Sequence, residues 1–382
     1  MNPSSSRPRG QGTLDAWLGG SSRQAPAPAS RQPPASASDQ PRPPRTESNR
    51  NAGAGSQNSQ AKSSQASSSG GGSYRNRDNG STPSQRIELA AIAKETRTVL
   101  PDILSEIPHI HASKSEALFL STLPPLRAAD CPRYRNGSKA TIRVINQDTF
   151  NAAIDLATHS ADIAMSDDND DDDADSGRVA VLNMASHSHP GGGWLKGAMA
   201  QEEAMCYRSS LALSLHRRYY PWKQRMGIYT PDVVVIRSDV PSGHTLLVPD
   251  VAPADLPVVS VLSIAAPRCP EVRRIRQTIN AGAAVVERTV YADPAVRDLL
   301  KDKMRLCLRM AAQRGHKLLV LGALGCGAFR NPRREVAHCW LEVFREAEFQ
   351  GGWWEEVWFA VYDRKNEGNF EVFEEILGGV DV

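Results

Sequence analysis

The stretch that decides the fold is VAVLNMASHSHPGGGWLKGAMAQEEAMCYRSSLALSL, residues 179–215. The apolar run Val179-Ala180-Val181-Leu182 predicts a buried strand, which turns polar at Asn183. Three glycines follow at 191–193 and a fourth at Gly197. From about Ala198 the residues become strong helix formers, with Gln201, Glu202 and Glu203 in the first turns. A strand, a glycine loop and a helix start therefore follow one another closely. That sequence of elements brings a backbone close to a phosphate. Glycine has no Cβ, so its N–H groups can turn inward, and a helix N-terminus adds free donors and partial positive charge.

Two carboxylates beside an anion cradle call for a reason, since acids repel phosphate. One reading is that Glu202 and Glu203 only favour the helix dipole at its N-terminus. The other is that one of them moves a proton next to a bound phosphorylated sugar. Adjacent helical residues diverge by ~100°, so the two cannot face each other across a bond like ordinary glycosidase carboxylates. The sharper division is one acid/base and one acceptor that orients substrate.

The glycine triplet, the seven residues Trp194 to Ala200 and then Gln201-Glu202-Glu203 resemble the signature of poly(ADP-ribose) glycohydrolases. These are macrodomain-related enzymes that cleave ribose–ribose bonds in poly(ADP-ribose). Downstream segments resemble the compact microbial form. The resemblance implies Glu203 as general acid and then base, Glu202 as the residue orienting ribose hydroxyls, and no metal or redox cofactor. Asn183, Gly191, Gly192, Gly193 and Gln201 become substrate-binding candidates. His189 stands where the family usually shows Asn, and Arg333-Arg334 where it often shows an acid.

A second loop completes the site. The apolar strand Lys317 to Gly322 leads into Ala323-Leu324-Gly325-Cys326-Gly327-Ala328-Phe329-Arg330-Asn331-Pro332, and a helix is expected from about Arg333. Strand, glycine turn and helix again aim N–H groups at an anion. By likeness to the diphosphate loop of the microbial enzymes, Gly325, Cys326, Gly327 and Ala328 contact the diphosphate and Phe329 packs on the adjoining ribose. A plain core role for Phe329 is the alternative.

Other segments fit around these two. Ile87, Ala91, Thr96, Val99 and Leu100 predict a helix ended near Pro101, resembling the family's helical prelude. Ala140 to Ile145 alternates as a strand. Asp148 then has two readings, a cap for the helix beginning FNAAIDLA or, by resemblance, acceptor for the adenine amino group. Strands are predicted at Asp232 to Arg237, Pro257 to Ile264 and Glu355 to Asp363, and helices at Ala295 to Arg314 and around Phe370 to Leu377. Tyr362 is preferred to Phe359 as the aromatic that stacks on adenine. No hairpin signal is evident. The expected fold is therefore α/β, a macrodomain-like three-layer α/β/α sandwich with an N-terminal helical extension.

Composition sets the domain limits. Residues 1–85, rich in Ser, Pro, Gln and Gly, hold ten Lys/Arg against four Asp/Glu and predict a disordered basic tail. That tail is read either as a solvated linker or as an aid in holding a polyanion. The catalytic domain is expected over 86–382, with an acidic exposed insertion at about 159–177 that carries eight acids between Asp162 and Asp175. Within the tail, Gln11, Leu14, Trp17 and Leu18 resemble the peptide by which replication and repair proteins dock on the sliding clamp, with Leu18 in place of a second aromatic. The six cysteines are scattered, and His187, His189, Cys206, Cys326, His338 and Cys339 form no ligand pair, so no metal is expected. No signal peptide or membrane-length apolar run appears, which points to a reducing compartment, nucleus or cytoplasm. Two other functions are open: a macrodomain that reads ADP-ribose without cutting it, and a hydrolase of mono-ADP-ribose.

Overall fold

A computed structural model describes residues 82–166, 177–279 and 284–382. The tail expectation, the peptide Gln11 to Leu18 and the acidic run at 167–176 lie outside the described residues.

At Thr82 the chain closes a capping box. The Gln85 N–H donates to Thr82 Oγ1 at 3.2 Å and the Thr82 N–H to Gln85 Oε1 at 2.9 Å. Helix α1 (Pro83–Ser105) follows, burying Leu89, Ala93, Thr96, Leu100 and Ile103 at helical spacing. It continues through Pro101 instead of stopping there. A proline within a helix removes one N–H donor, and the buried Leu100 and Ile103 hold the last turn in place. Ile87, read as part of the apolar stripe, is exposed.

Strand β1 (Glu116–Phe119), which the sequence pattern did not reveal, precedes β2 (Ile142–Ile145). Helix α2 (Thr149–Ser166) runs further than the expected break at 159, so His159 to Ser166 are helical. Then come β3 (Ala180–Met184), α3 (Gln201–Arg208), β4 (Met226–Val234) and β5 (Val258–Ile264). Beyond α3 the chain makes only short 3-10 turns at Leu211–Leu213 and Arg217–Tyr219. Strands β6 (Val272–Ile279) and β7 (Ala284–Tyr291) pair antiparallel as a separate ribbon, a hairpin the sequence analysis missed. The chain closes with α4 (Pro294–Gln313), β8 (Leu318–Leu321), α5 (Arg333–Phe344), β9 (Glu356–Ala360) and α6 (Asn369–Leu377).

Seven strands form one mixed sheet in the order β1-β4-β5-β3-β8-β9-β2. The pairs from β5 through to β2 are parallel, and β1 and β4 are antiparallel. Alternation along each strand divides the core between the two faces. Ala180, Leu182, Leu319, Leu321, Val357 and Phe359 pack with α4, α5 and α6 residues such as Leu306, Trp340 and Phe373. Val179, Val181, Leu318, Val320, Trp358 and Ala360 pack with α1, α2 and α3 residues such as Leu89, Phe150 and Tyr207. Helices thus cover both faces, and the expected α/β/α sandwich is what the chain forms.

The N-terminal helix is an integral part of that second layer. Thr96 donates its hydroxyl to Tyr207 O at 2.8 Å, and Arg237 Nε donates to Thr96 Oγ1 at 2.9 Å. At Gly197 (φ +73°) an added Cβ would lie 2.0 Å from Arg86 O, so α1 lies backbone-on-backbone against the loop before α3. Gly197→Ala is expected to lower stability by about 2–3 kcal/mol, from overpacking plus left-handed strain. Thermal unfolding measures it, and an unchanged Tm would show that α1 does not seat there.

Candidate active site

The first glycine loop serves a different purpose from the one its sequence suggests. At Gly192 (φ +58°) an added Cβ would lie 2.3 Å from Glu203 Oε1 and 3.2 Å from Glu202 Oε2. The Gly192 N–H donates to His189 O at 3.0 Å, and the Gly193 N–H donates to Glu203 Oε1 at 2.9 Å. Two donors of the triplet are therefore occupied within the protein. The triplet makes room for the glutamates and orients one of them.

Glu202 and Glu203 open α3 and diverge as adjacent helical residues must. Glu202 is buried, at 3% exposure, while Glu203 is half-buried. Glu202 Oε2 accepts from the Ser186 N–H at 2.7 Å. Among the described residues Glu202 Oε1 has no partner, and neither has Asn183 Oδ1, although Asn183 Nδ2 donates to Ser263 Oγ at 3.0 Å. Burial drives the Glu202 carboxyl well above the ordinary carboxylate range, and the neighbouring Glu203 charge adds to it. The hydrogen bond from the Ser186 N–H opposes the shift.

This shift has a measurable consequence for stability. A carboxyl whose folded pKa is raised holds its proton more tightly folded than unfolded, so stability falls as pH rises above its ordinary value of 4.5. Glu202→Gln, which cannot ionise, is expected to remove that part of the decline and to leave Tm higher than wild type at neutral pH. Melting curves from pH 4 to 8 decide it; equal slopes for the two proteins would place Glu202 in a less buried setting.

Gln201 has a structural task. Its Oε1 accepts from the Met184 N–H at 2.8 Å, and its Nε2 donates to Leu182 O at 2.7 Å and Thr149 Oγ1 at 3.1 Å. The amide ties α3 to the end of β3 and the start of α2.

The second loop is built to leave donors open. Asn331 Nδ2 donates to Pro267 O at 2.8 Å and Gly325 O at 3.1 Å, while Tyr291 donates its hydroxyl to Asn331 Oδ1 at 2.9 Å. The Cys269 N–H donates to Phe329 O at 2.8 Å. Held this way, the loop offers the N–H groups of Gly325, Gly327, Ala328 and Phe329, which meet no acceptor among the described residues. Gly327 and Ala328 are exposed, and a Cβ added at Gly327 would meet nothing within 4 Å. Nothing in the protein asks for glycine at 327, so an external occupant is the natural reason for it. Gly325 is different, because a Cβ there would lie 2.5 Å from both Ala266 Cβ and Asn331 Nδ2. Cys326 packs partly against the core. Phe329 is half-buried and its ring meets that of His187 edge-on at 6.5 Å. Burial lowers the His187 pKa, with Arg268, Lys303 and His189 adding to it, so the ring facing Phe329 favours the neutral form.

Beyond the C-terminal end of β2, Asp148 Oδ1 accepts from the Phe150 N–H at 2.8 Å and pairs with the buried Arg208. It caps α2, and Oδ2 accepts nothing among the described residues. Tyr362 is 44% exposed, whereas Phe359 is in the core between Trp340, Phe344 and Phe373. The charges of Asp148 and Asp239 both help to raise the Tyr362 pKa, secondary to burial, which places the phenol near the Asp148 end.

Ser186, Arg208 and Tyr220 were missed by sequence reasoning, which weighed His187 only as a metal ligand. Tyr220 has a buried hydroxyl without a partner and is close enough to feel the charge of Glu202. Nothing in a one-dimensional pattern marks them, since each reaches the site by a loop or by the far end of a helix. Among the described residues no group of three or more His, Cys, Asp or Glu could hold a metal ion, and no helix is long and apolar enough to cross a membrane.

Residues 70–238 match the family described as microbial-type PARG, catalytic domain. The resemblance to the microbial poly(ADP-ribose) glycohydrolases is thereby shown, over a span that holds the triplet and both glutamates and ends before the second loop. The chain is also similar to the crystal structure of poly(ADP-ribose) glycohydrolase from Thermomonospora curvata. That likeness is 24% identity over 76% of this chain and 99% of the other, with a TM-score of 0.52. A variant of the enzyme from Deinococcus radiodurans, in complex with ADP-ribose, is 26% identical over 69% of this chain and 94% of the other, with a TM-score of 0.50. No curated protein matches the chain.

Proposed function

We propose that the chain hydrolyses the O-glycosidic ribose–ribose bonds of poly(ADP-ribose) and releases ADP-ribose. The observation that carries this reading is the pair Glu202 and Glu203, one buried and one accessible, packed against Gly192. The family match over this segment and the ADP-ribose complex of the Deinococcus relative support the substrate class.

In this reading the diphosphate lies on the open N–H groups of the second loop, with Phe329 against the ribose beside the scissile bond. The adenine amino group donates to Asp148 Oδ2, and Tyr362 stacks on the ring. Glu203 Oε1 is fixed by the Gly193 N–H, which leaves Oε2 to deliver a proton to the departing ribose oxygen. The C–O bond breaks and an oxocarbenium-like ribose forms, its charge stabilised by the adjoining diphosphate. Glu203, now a carboxylate, takes the proton of the water that attacks the anomeric carbon. Glu202 stays neutral and positions the departing unit, because a ribose hydroxyl would satisfy both its Oε1 and Asn183 Oδ1. A module that only reads ADP-ribose has no use for this second, buried carboxyl.

Product analysis tests the reading directly, with purified polymer and a mono-ADP-ribosylated protein offered in parallel. Free ADP-ribose from polymer is the expected result. Removal of the mono-modification alone, or binding without release, would overturn it. Docking of Gln11, Leu14, Trp17 and Leu18 on a sliding clamp is a separate proposal that rests on the peptide resemblance, and a synthetic peptide of residues 7–22 tests it by direct binding.

A further inference from the structure

The ribbon of β6 and β7 carries charge that the reaction does not use. Arg273, Arg274 and Arg276 are exposed on β6, and among the described residues none of the three joins an ion pair. Arg288 on β7, opposite Ile275, has a buried Nε with no partner. The base of the ribbon runs into the second loop, through the Cys269 N–H on Phe329 O and the Tyr291 hydroxyl on Asn331. Between the ribbon and the start of α5 lies a cleft of about 520 Å³. Its walls include Arg288, Arg333 and Arg334, together with Cys326 and Asn331 of the second loop. The acids on it are Glu287 and Glu375, and Glu375 is already paired with Arg334. Pro332 caps α5 without a side-chain acceptor, so the first N–H groups of that helix add to the positive field.

We propose that this cleft, with Arg288 of the ribbon and Arg333 and Arg334 of α5 on its walls, forms a second anion subsite, which takes the diphosphate of the ADP-ribose unit next to the one released. The inference rests on the reading of the chain as a polymer glycohydrolase. Continuity decides the occupant. The cleft shares Cys326 and Asn331 with the loop assigned to the first diphosphate, and a polymer with a diphosphate in every unit presents its next charge close by. Arginine suits this task because its planar fork holds phosphate oxygens in pairs.

The test uses the full chain carrying Glu203→Gln, so that polymer persists during measurement. Arg288→Ala/Arg333→Ala/Arg334→Ala is compared with that background, and Arg333→Ala alone, which changes an exposed position only, guards against misfolding. Polymer of defined length is titrated at several salt concentrations, and ADP-ribose is titrated by calorimetry. The triple variant is expected to bind polymer at least tenfold more weakly, with the salt slope flattened by about two, and to keep its ADP-ribose affinity within twofold. Unchanged polymer affinity would overturn the subsite. So would weakened binding of duplex DNA or RNA with polymer unaffected, which would mark the ribbon as a nucleic-acid surface. Cleavage by the unmodified chain is scored separately. A chain that fails to cut polymer counts against the function, whereas the subsite stands or falls on the ratio of the two affinities.

Discussion

Glu203→Gln is expected to lower polymer turnover by at least about a hundredfold, the scale on which positioned acid–base catalysis operates. ADP-ribose affinity should stay close to wild type. The reason is local. The amide oxygen of the substituted side chain can still accept the Gly193 N–H that Glu203 Oε1 accepts at 2.9 Å, so the side chain stays in place against Gly192 and only the proton is lost. Glu202→Gln offers the contrast. Glu202 is buried, and burial raises its pKa; an amide there still presents an oxygen to the Ser186 N–H. It is expected to lose less turnover than the Glu203 variant, and part of its loss should appear as weaker substrate binding. Single-turnover rates with calorimetric affinities separate the two. If Glu203→Gln keeps a tenth of wild-type turnover while Glu202→Gln is inert, the roles are reversed and the buried carboxyl is the proton carrier.

Much of this arrangement can be read in one dimension, because the strongest signals are local. Apolar runs at Val179 to Leu182 and Leu318 to Leu321 are short, flanked by glycine and fully buried, as parallel central strands must be. The glycine at 327, in a strand–turn–helix setting, likewise announces close approach to something.

What escaped the sequence depends on contacts between distant positions. The triplet looks like a phosphate loop by composition, yet its N–H groups point to His189 and Glu203, and spacing alone cannot say which of two acceptors a donor meets. Gln201 looks like a substrate contact because it adjoins two glutamates. Its amide instead meets Met184, Leu182 and Thr149, which only the fold brings near. Asp148 caps α2 with one oxygen, which is one of its two sequence readings, and its other oxygen stays open among the described residues. The β6–β7 hairpin was hidden because β6 carries three arginines and Val272 and Val286 are exposed, so no buried apolar run marks the strands.

The two glycine loops can be told apart by one substitution in each. Gly327→Val is expected to fold normally, because a Cβ at 327 meets nothing within 4 Å. The branched side chain would instead occupy the space in front of the open N–H groups of Gly327 and Ala328. Hydrogen bonds to a charged group contribute about 1.5–3 kcal/mol each, so losing two of them should weaken ADP-ribose binding by at least about a hundredfold. Turnover at saturating polymer should suffer less, since Glu203 is undisturbed. Gly192→Val should behave in the opposite way. Its Cβ would collide with Glu203 Oε1, driving the carboxylate proposed as the acid from its seat and lowering turnover more than affinity. Calorimetry and saturation kinetics on the two variants, each checked for native circular dichroism, give four numbers that must follow this pattern. Full ADP-ribose affinity in Gly327→Val would remove the second loop from the diphosphate site, and the anion would then have to be held by groups outside the two loops.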